Sequence, residues 1–220
     1  MGLFTYTFVT MTIAPASLVA EFAGGTSNDV DMMIGVGVVK DSDAVYFQYL
    51  GEEQTPRALT VPTSGKPVFN LVNIRVVGLE VADDIGTFKS TKLNVYIESA
   101  QGSRVMLTSG LNTYWSQCVI TGLMGLFDSY SIDTPFTLNT WKGTQGLKPC
   151  FASIKLGKEK ISDQSMYDQL KDLRSDGNSK RMMQVLREAV NIISAAIGGG
   201  EVEPVVVAVA PAADEIEDEF

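Results

Sequence analysis

Two β-patterned runs lie in the middle of the chain: VFNLVNIRVVGLEVA at residues 68–82 and TFKSTKLNVYIES at residues 87–99. The second run alternates regularly, because Leu93, Val95 and Ile97 are each flanked by polar or amphipathic side chains. Such alternation is typical of a β-strand with one buried face. A short acidic turn separates the two runs. We therefore predict two consecutive long strands, around which the rest of the body is organised.

A third, short strand is predicted at residues 104–108, after which the hydrophobic period changes. The next segment has the spacing of an amphipathic helix, with Asn112 as the expected cap and the apolar positions Trp115, Val119, Leu123 and Leu126. Two more strands are predicted at residues 135–141 and 148–156. This order of elements is that of an OB-fold, a five-stranded Greek-key barrel. We predict a mainly β protein with an OB-fold-like five-stranded barrel at residues 68–156; a β-sandwich or meander is the alternative.

The flanking segments are predicted to be accessory to that barrel. Residues 1–67 are interpreted as an N-terminal arm with short strands at 32–40 and 44–50, packing on the barrel. Residues 157–198 are predicted to form C-terminal helices. The last helix carries apolar residues at alternating spacings of three and four, namely Met183, Leu186, Val190, Ile193 and Ile197. This spacing favours packing on the protein's own barrel, with dimerisation through a short coiled coil as the alternative.

The negative charge is concentrated at the C-terminus. The chain carries 26 acidic and 17 basic residues, and seven of the acidic residues but none of the basic ones lie in residues 199–220. The remainder is therefore nearly neutral, and a basic surface is compatible with the net charge of −9. Five lysines cluster in residues 142–160. We interpret residues 199–220 as a disordered linker followed by an acidic tail.

Several classes of chemistry are disfavoured by composition. The chain has no histidine, so Ser-His and Cys-His catalysis are excluded and a zinc site is not expected. Its two cysteines, Cys118 and Cys150, are predicted to be buried thiols in a reducing cytoplasm. No nucleotide-binding, metalloprotease or hydrolase motif is present. We predict a cytoplasmic protein that is not an enzyme, with no cofactor, no metal and no membrane span.

The end of the chain has a specific chemistry. Its final residues combine carboxylates with an apolar side chain and a terminal aromatic ring: Asp214, Glu215, Ile216, Glu217, Asp218, Glu219 and Phe220. An aromatic ring beside a free carboxylate can enter an apolar pocket rimmed by Arg or Lys. This tip resembles the acidic, Phe-terminated tips of bacterial single-stranded DNA-binding proteins and their phage counterparts. It departs from the bacterial pattern in having Glu219 where Pro is usual, and it fits the looser phage type better.

The resemblance implies a binding surface for single-stranded DNA in the body and recruitment of replication and recombination proteins by the tip. In that family the tip can also compete with DNA for the binding groove. Candidate DNA-binding residues are aromatic and basic side chains on the expected binding strands and loops: Phe88, Lys89, Lys92, Tyr96, Arg104, Tyr114, Trp115, Trp141, Lys142 and Lys148. Trp141 beside Lys142 is the strongest stacking candidate, and alternation predicts that Tyr96 is exposed. Trp115 is in phase with the helix's apolar stripe, which favours a core position.

We therefore predict non-sequence-specific binding of single-stranded DNA in replication, recombination or repair, at the nucleoid or a replication site in a bacterial or phage setting. A homo-oligomer, dimeric or larger, is expected. The alternative is a structural or assembly protein, such as a virion component, which the apolar N-terminal arm also suits.

Overall fold

The fold is described by a computed structural model, which covers residues 30, 32–39, 42–50, 55–85, 89–144 and 148–198. Within these residues there are nine strands and three helices. In chain order they are β1 (Met32–Val36), β2 (Tyr46–Leu50), β3 (Thr55–Ala58), β4 (Asn70–Ile85), β5 (Ser90–Ser99), β6 (Arg104–Gly110), α1 (Tyr114–Ser129), β7 (Phe136–Lys142), β8 (Cys150–Leu156), β9 (Glu159–Ile161), α2 (Gln164–Ser175) and α3 (Ser179–Ile197). The mainly β class is confirmed, with helices added at the C-terminal end.

All nine strands belong to one mixed sheet, in the order β3-β2-β1-β6-β5-β4-β7-β8-β9. Every neighbouring pair is antiparallel except β1 and β6, which run parallel with Met32 opposite Val105. The five strands predicted for the barrel are β4 to β8, and they occupy adjacent positions in the sheet. Both short strands predicted in the N-terminal segment are also present, as β1 and β2.

The predicted five-stranded OB-fold barrel is not confirmed, because the sheet is not closed. Closure of β4 to β8 into a barrel would require the two outer strands of this set, β6 and β8, to pair with each other. Among the described strands, β6 pairs instead with β1, and β8 pairs with β9. The physical reason is that the edge of β6 has unpaired backbone groups, which another strand can pair with if it also buries apolar residues. β1 does so, because its residues Met32, Ile34 and Val36 are buried on the core face.

The sheet is nevertheless strongly curved. The Tyr46 hydroxyl of β2 lies 2.7 Å from Oγ1 of Thr140 on β7. These strands are five positions apart in the sheet, which would place them about 24 Å apart if it were flat. The contact therefore requires the sheet to curl around its apolar face. Trp115 lies inside this curl, because its indole N–H donates to the same Thr140 oxygen at 3.1 Å.

Helix α1 fills the concave side of the sheet. Its residues Trp115, Val119, Leu123 and Leu126, the predicted apolar stripe, are all buried. The N-cap is Thr113 rather than the expected Asn112, since the Thr113 side chain accepts a hydrogen bond from the backbone N–H of Ser116. The core position favoured for Trp115 is confirmed.

Helices α2 and α3 complete the same core. In α3 the residues Leu186, Val190 and Ile193 are buried, while Met183 and Ile197 pack against the core from its rim. Ser194 of this helix donates to the Leu79 carbonyl, and Arg187 forms an ion pair with Asp83. The apolar seam thus packs on the protein's own sheet and on α1, as the spacing favoured. The same side chains are not available for a coiled-coil dimer.

The backbone of α1 approaches the segment between β9 and α2 at Gly125. The N–H of Asp163 donates to the Thr121 carbonyl at 2.8 Å, which holds the two segments together. A Cβ at Gly125 would lie 2.6 Å from the carbonyl carbon of Ser162, so only glycine fits this contact. No pattern in the sequence singles out this glycine.

We expect Gly125→Ala to lower the free energy of unfolding by about 1–3 kcal/mol, the usual cost of overpacking a core. In an exposed helix the same change would stabilise by up to about 1 kcal/mol. Urea unfolding measures the difference, with Gly122→Ala as the matched control on the same helix. The three atoms nearest to its added Cβ all belong to the side chain of Ile154, the first at 3.0 Å, and a side chain yields more easily than backbone, so a smaller loss is expected. A gain in stability for Gly125→Ala would contradict the described packing.

Candidate functional site

Three aromatic rings form a continuous row where the β7–β8 hairpin meets the start of α1. Trp141 and Phe151 are directly opposed across the two strands, and their rings are stacked with centroids 6.1 Å apart and planes inclined by 21°. Tyr114, the first residue of α1, continues the row, with its ring centroid 5.1 Å from that of Phe151. We call Trp141, Phe151 and Tyr114 the aromatic row. Trp141 is 41% and Tyr114 37% exposed, so both present ring surface to solvent.

One arginine contacts the aromatic row, and two lysines belong to the hairpin that carries it. At the α1 end, the Arg174 guanidinium stacks 3.7 Å from the centroid of the Tyr114 ring, and its Nη2 donates to the Asn112 carbonyl at 3.0 Å. On the hairpin, Lys142 follows Trp141 directly, so its side chain lies on the opposite face of β7, where it donates to the Ser42 carbonyl. Lys148, on the same hairpin, is exposed and has a φ of +49°. The positive charge in direct contact with the row is therefore that of Arg174.

A cavity of about 270 Å³ opens beside the aromatic row, between α1, α2 and β8. It is lined by Tyr114, Gln117, Cys118, Phe151, Tyr167, Leu170, Lys171, Arg174 and Ser175. This lining contains three aromatic rings and two cations but no carboxylate. Burial raises the pKa of the Cys118 thiol, so this group is a weak nucleophile at neutral pH. The cavity is suited to binding rather than to thiolate chemistry.

Three of the predicted DNA-binding residues are brought to this region: Tyr114, Trp141 and Lys148. Lys142 is on the same hairpin, but its side chain lies on the face of β7 opposite Trp141. Trp115 is not brought to this region, because it is fully buried and cannot contact a ligand at the surface. Phe88 and the tip residues 214–220 lie outside the described residues. Sequence reasoning did not single out Phe151, Tyr167, Lys171 or Arg174.

The remaining candidates lie elsewhere on the sheet. Lys92 pairs with Ala82 on β4. The part of β4 that pairs with β7 lies around Asn70, roughly 40 Å away along the strand. Lys89 is exposed just before β5. These lysines therefore do not join the aromatic row.

Tyr96 is less available than alternation predicted. Its ring is half-buried over Gly78, where an added Cβ would lie 3.1 Å away. Its hydroxyl donates to Glu80 at 2.6 Å, and burial together with that carboxylate raises its pKa. Tyr96 is held by β4 and offers little free ring surface.

Arg104 belongs to a charged cluster across three strands. Glu98 on β5 accepts from Arg75 on β4 and from Arg104 on β6, the latter at 3.1 Å. These hydrogen bonds hold the pKa of Glu98 below its usual value of 4.5. Because Glu98 is largely buried beneath the two arginines, the cluster joins the central strands.

The Glu98 cluster predicts a pH-dependent stability. A carboxylate whose pKa is lowered on folding stabilises the folded state above its unfolded-state pKa, and this contribution is lost as the pH falls through the folded-state pKa. We expect Glu98→Gln to lower the urea midpoint at neutral pH and to lower it less once the pH is well below 4.5. An equal loss at both pH values would show that the charge of Glu98 does not contribute.

Comparison with known proteins gives no further guide to the site. No protein family, no curated protein and no solved structure matches this chain. In the part of the chain that the structure describes, no group of His, Cys, Asp or Glu side chains is arranged to hold a metal ion. Among those same residues, no helix is long and apolar enough to cross a membrane.

Proposed function

We propose that this protein binds single-stranded DNA without sequence specificity, with bases stacked on the aromatic row. The observation that carries this proposal is the contiguity of Trp141, Phe151 and Tyr114, with the Arg174 guanidinium stacked on the Tyr114 ring. Single-strand binding requires these two components, since every base has a π-face and every nucleotide a phosphate. Exposed ring surface at the start of a helix and on a hairpin is also accessible to a flexible strand.

The charge distribution supports the same proposal. Phosphates approaching the row would meet Arg174 and Lys171 on α2 and the exposed Lys148 of the β7–β8 hairpin, with no carboxylate in the cavity lining. Each phosphate neutralised by such a residue releases counterions, so binding should weaken as salt rises.

The strand arrangement is compatible with an opened relative of the OB-fold. A barrel of β4 to β8 needs five pairings, and four of them are present: β4–β5, β5–β6, β4–β7 and β7–β8. We propose that β4 to β8 form an opened relative of the OB-fold. Its support is the strand order together with the helix between the third and fourth of these strands.

The second part of the proposal concerns the C-terminal tip. Asp214–Phe220 recruits replication, recombination or repair proteins, on the strength of its chemistry and its resemblance to tips that do so. Homo-oligomerisation and a location at replication sites belong to the same proposal. Deletion of residues 214–220 is expected to abolish capture of such partners and to strengthen DNA binding. Weaker DNA binding after the deletion would contradict the self-competition that the resemblance implies.

The proposed function is tested by fluorescence anisotropy of a labelled oligo-dT titrated with the full chain at several salt concentrations, with duplex DNA of the same length as control. We expect saturable binding of oligo-dT that weakens linearly on a logarithmic salt scale, and much weaker binding of the duplex. Absence of oligo-dT binding at low salt, together with self-assembly in sedimentation, would instead favour the structural or assembly function.

A further inference from the structure

The cavity beside the aromatic row has a feature that stacking alone does not use. Nε of Arg174 is buried and has no hydrogen-bond partner among the described residues. Nη2 of the same side chain is already engaged by the Asn112 carbonyl, and the guanidinium plane lies over Tyr114. The side chain is thus held at two points while one buried donor is unpaired. Buried donors are nearly always paired in native proteins, so the unpaired Nε of Arg174 indicates that a ligand supplies its acceptor.

We infer that this cavity receives one base of the bound strand, turned off the aromatic row, and that Arg174 donates a hydrogen bond to a carbonyl oxygen of that base. This inference rests on the proposed function and deepens it, because it adds a base-reading position to a surface otherwise indifferent to sequence.

The location of the cavity favours a base as its occupant. Tyr114 and Phe151 belong both to the aromatic row and to the cavity wall. A strand whose bases stack on the row therefore passes the cavity mouth. Bases that are unstacked from a strand are held by proteins between aromatic side chains and hydrogen-bonded on their edges.

The size and lining of the cavity point to the same occupant. Its volume of about 270 Å³ lies just below the roughly 300 Å³ at which pockets for drug-sized ligands begin, so a single planar ring system suits it better than a whole nucleotide. Tyr114, Phe151 and Tyr167 supply ring faces, and the buried Leu170 contributes apolar wall.

The chemistry of Arg174 selects among bases. A guanidinium only donates, so its partner must offer a lone pair. Thymine, uracil, guanine and cytosine offer ring carbonyl oxygens, whereas adenine offers only ring nitrogens as acceptors. Because the inferred contact of Nε is to a carbonyl oxygen, we expect a preference for oxo-bases over adenine at one position of the bound strand.

The first arm of the test compares oligo-dT with oligo-dA of equal length, by anisotropy, for the wild-type full chain and for Arg174→Lys. Lysine keeps the positive charge, so the phosphate contribution is retained while the Nε donor is lost. We expect the ratio of the oligo-dT to the oligo-dA affinity to fall by about tenfold, the effect of one charge-assisted hydrogen bond. The matched control is Arg57→Lys on β3, an exposed arginine that does not line the cavity; it should leave the ratio unchanged.

The second arm needs no substitution. Cys118 lines the cavity and is half-buried, whereas Cys150 is buried outside it. Alkylation of Cys118 by iodoacetamide at mildly alkaline pH therefore reports whether the cavity is occupied. The extent of alkylation is measured by peptide mass spectrometry. Saturating oligo-dT should protect Cys118 strongly, and saturating oligo-dA should protect it much less.

The outcomes separate the inference from the proposed function. An unchanged affinity ratio for folded Arg174→Lys, or equal alkylation of Cys118 with and without saturating oligo-dT, overturns the base-in-cavity inference while single-strand binding stands. If no oligonucleotide binds the wild-type chain, the proposed function fails and the inference fails with it.

Discussion

Replacing Trp141 with alanine is expected to lower the affinity for oligo-dT by about tenfold to a hundredfold at fixed salt, because base–aromatic stacking is worth about 1–3 kcal/mol per base. Trp141 is the largest exposed ring of the aromatic row and lies at its outer end, where nothing but Phe151 is stacked on it among the described side chains. Its removal eliminates a stacking face without opening the core. The measurement is a titration of labelled oligo-dT with folded variant and wild type.

The matched control for Trp141→Ala is Tyr130→Ala. Tyr130 is as exposed as Trp141, at 40%, but it follows the last residue of α1. Tyr114 begins that helix, so Tyr130 is about 24 Å from the aromatic row. We expect Tyr130→Ala to bind oligo-dT as the wild type does. Equal losses for the two variants would mean that exposed aromatic surface acts non-specifically and that the row is not the site.

The largest expected effect on stability belongs to the other tryptophan. Trp115→Ala should lower the free energy of unfolding by about 3–5 kcal/mol, the usual range for removing a large buried aromatic side chain. Trp115 is fully buried inside the curved sheet, and its indole N–H donates to Thr140. The cavity left behind would lie between α1 and β7, and the sheet around it cannot easily collapse. Urea unfolding followed by circular dichroism measures the loss.

Trp115→Phe is the control for this prediction, because it keeps an aromatic ring in the same place and removes the indole N–H. Thr140 would still be hydrogen-bonded to the Tyr46 hydroxyl, so no buried oxygen is left without a partner. We expect a loss well under half of that for Trp115→Ala. If Trp115→Ala lost less than about 1 kcal/mol, the side chain would not occupy a close-packed core.

The elements of the central region could be predicted from sequence because their signals are local. Two β-patterned runs indicated β4 and β5, with regular alternation in the second, and the spacing of Trp115, Val119 and Leu123 indicated α1. Strand partners are not local. The parallel pairing of β1 with β6 joins Met32 to Val105, and no pattern in either segment specifies it. Strand order therefore predicted a closed barrel, which requires β6 to pair with β8. In the structure that edge of β6 pairs with β1 instead.

The candidate site was predictable to the same extent. Trp141 and Lys142 could be singled out because they end a recognisable strand. Phe151 could not, since its place beside Trp141 depends on the register between β7 and β8. Arg174 depends further on how α2 packs beside α1, which brings its guanidinium over Tyr114. Tyr96 shows the converse, because alternation placed it on a polar face but could not reveal that Glu80 and Gly78 hold it there.

The central claim is that bases stack on the aromatic row, and the protein's two tryptophans allow a direct test. In Trp115→Phe, Trp141 is the sole tryptophan; in Trp141→Phe, only the buried Trp115 remains. We predict that oligo-dT strongly quenches the tryptophan fluorescence of Trp115→Phe, and that it leaves that of Trp141→Phe nearly unchanged even where anisotropy shows binding. Unquenched fluorescence from Trp141 in the presence of saturating oligo-dT would contradict the claim.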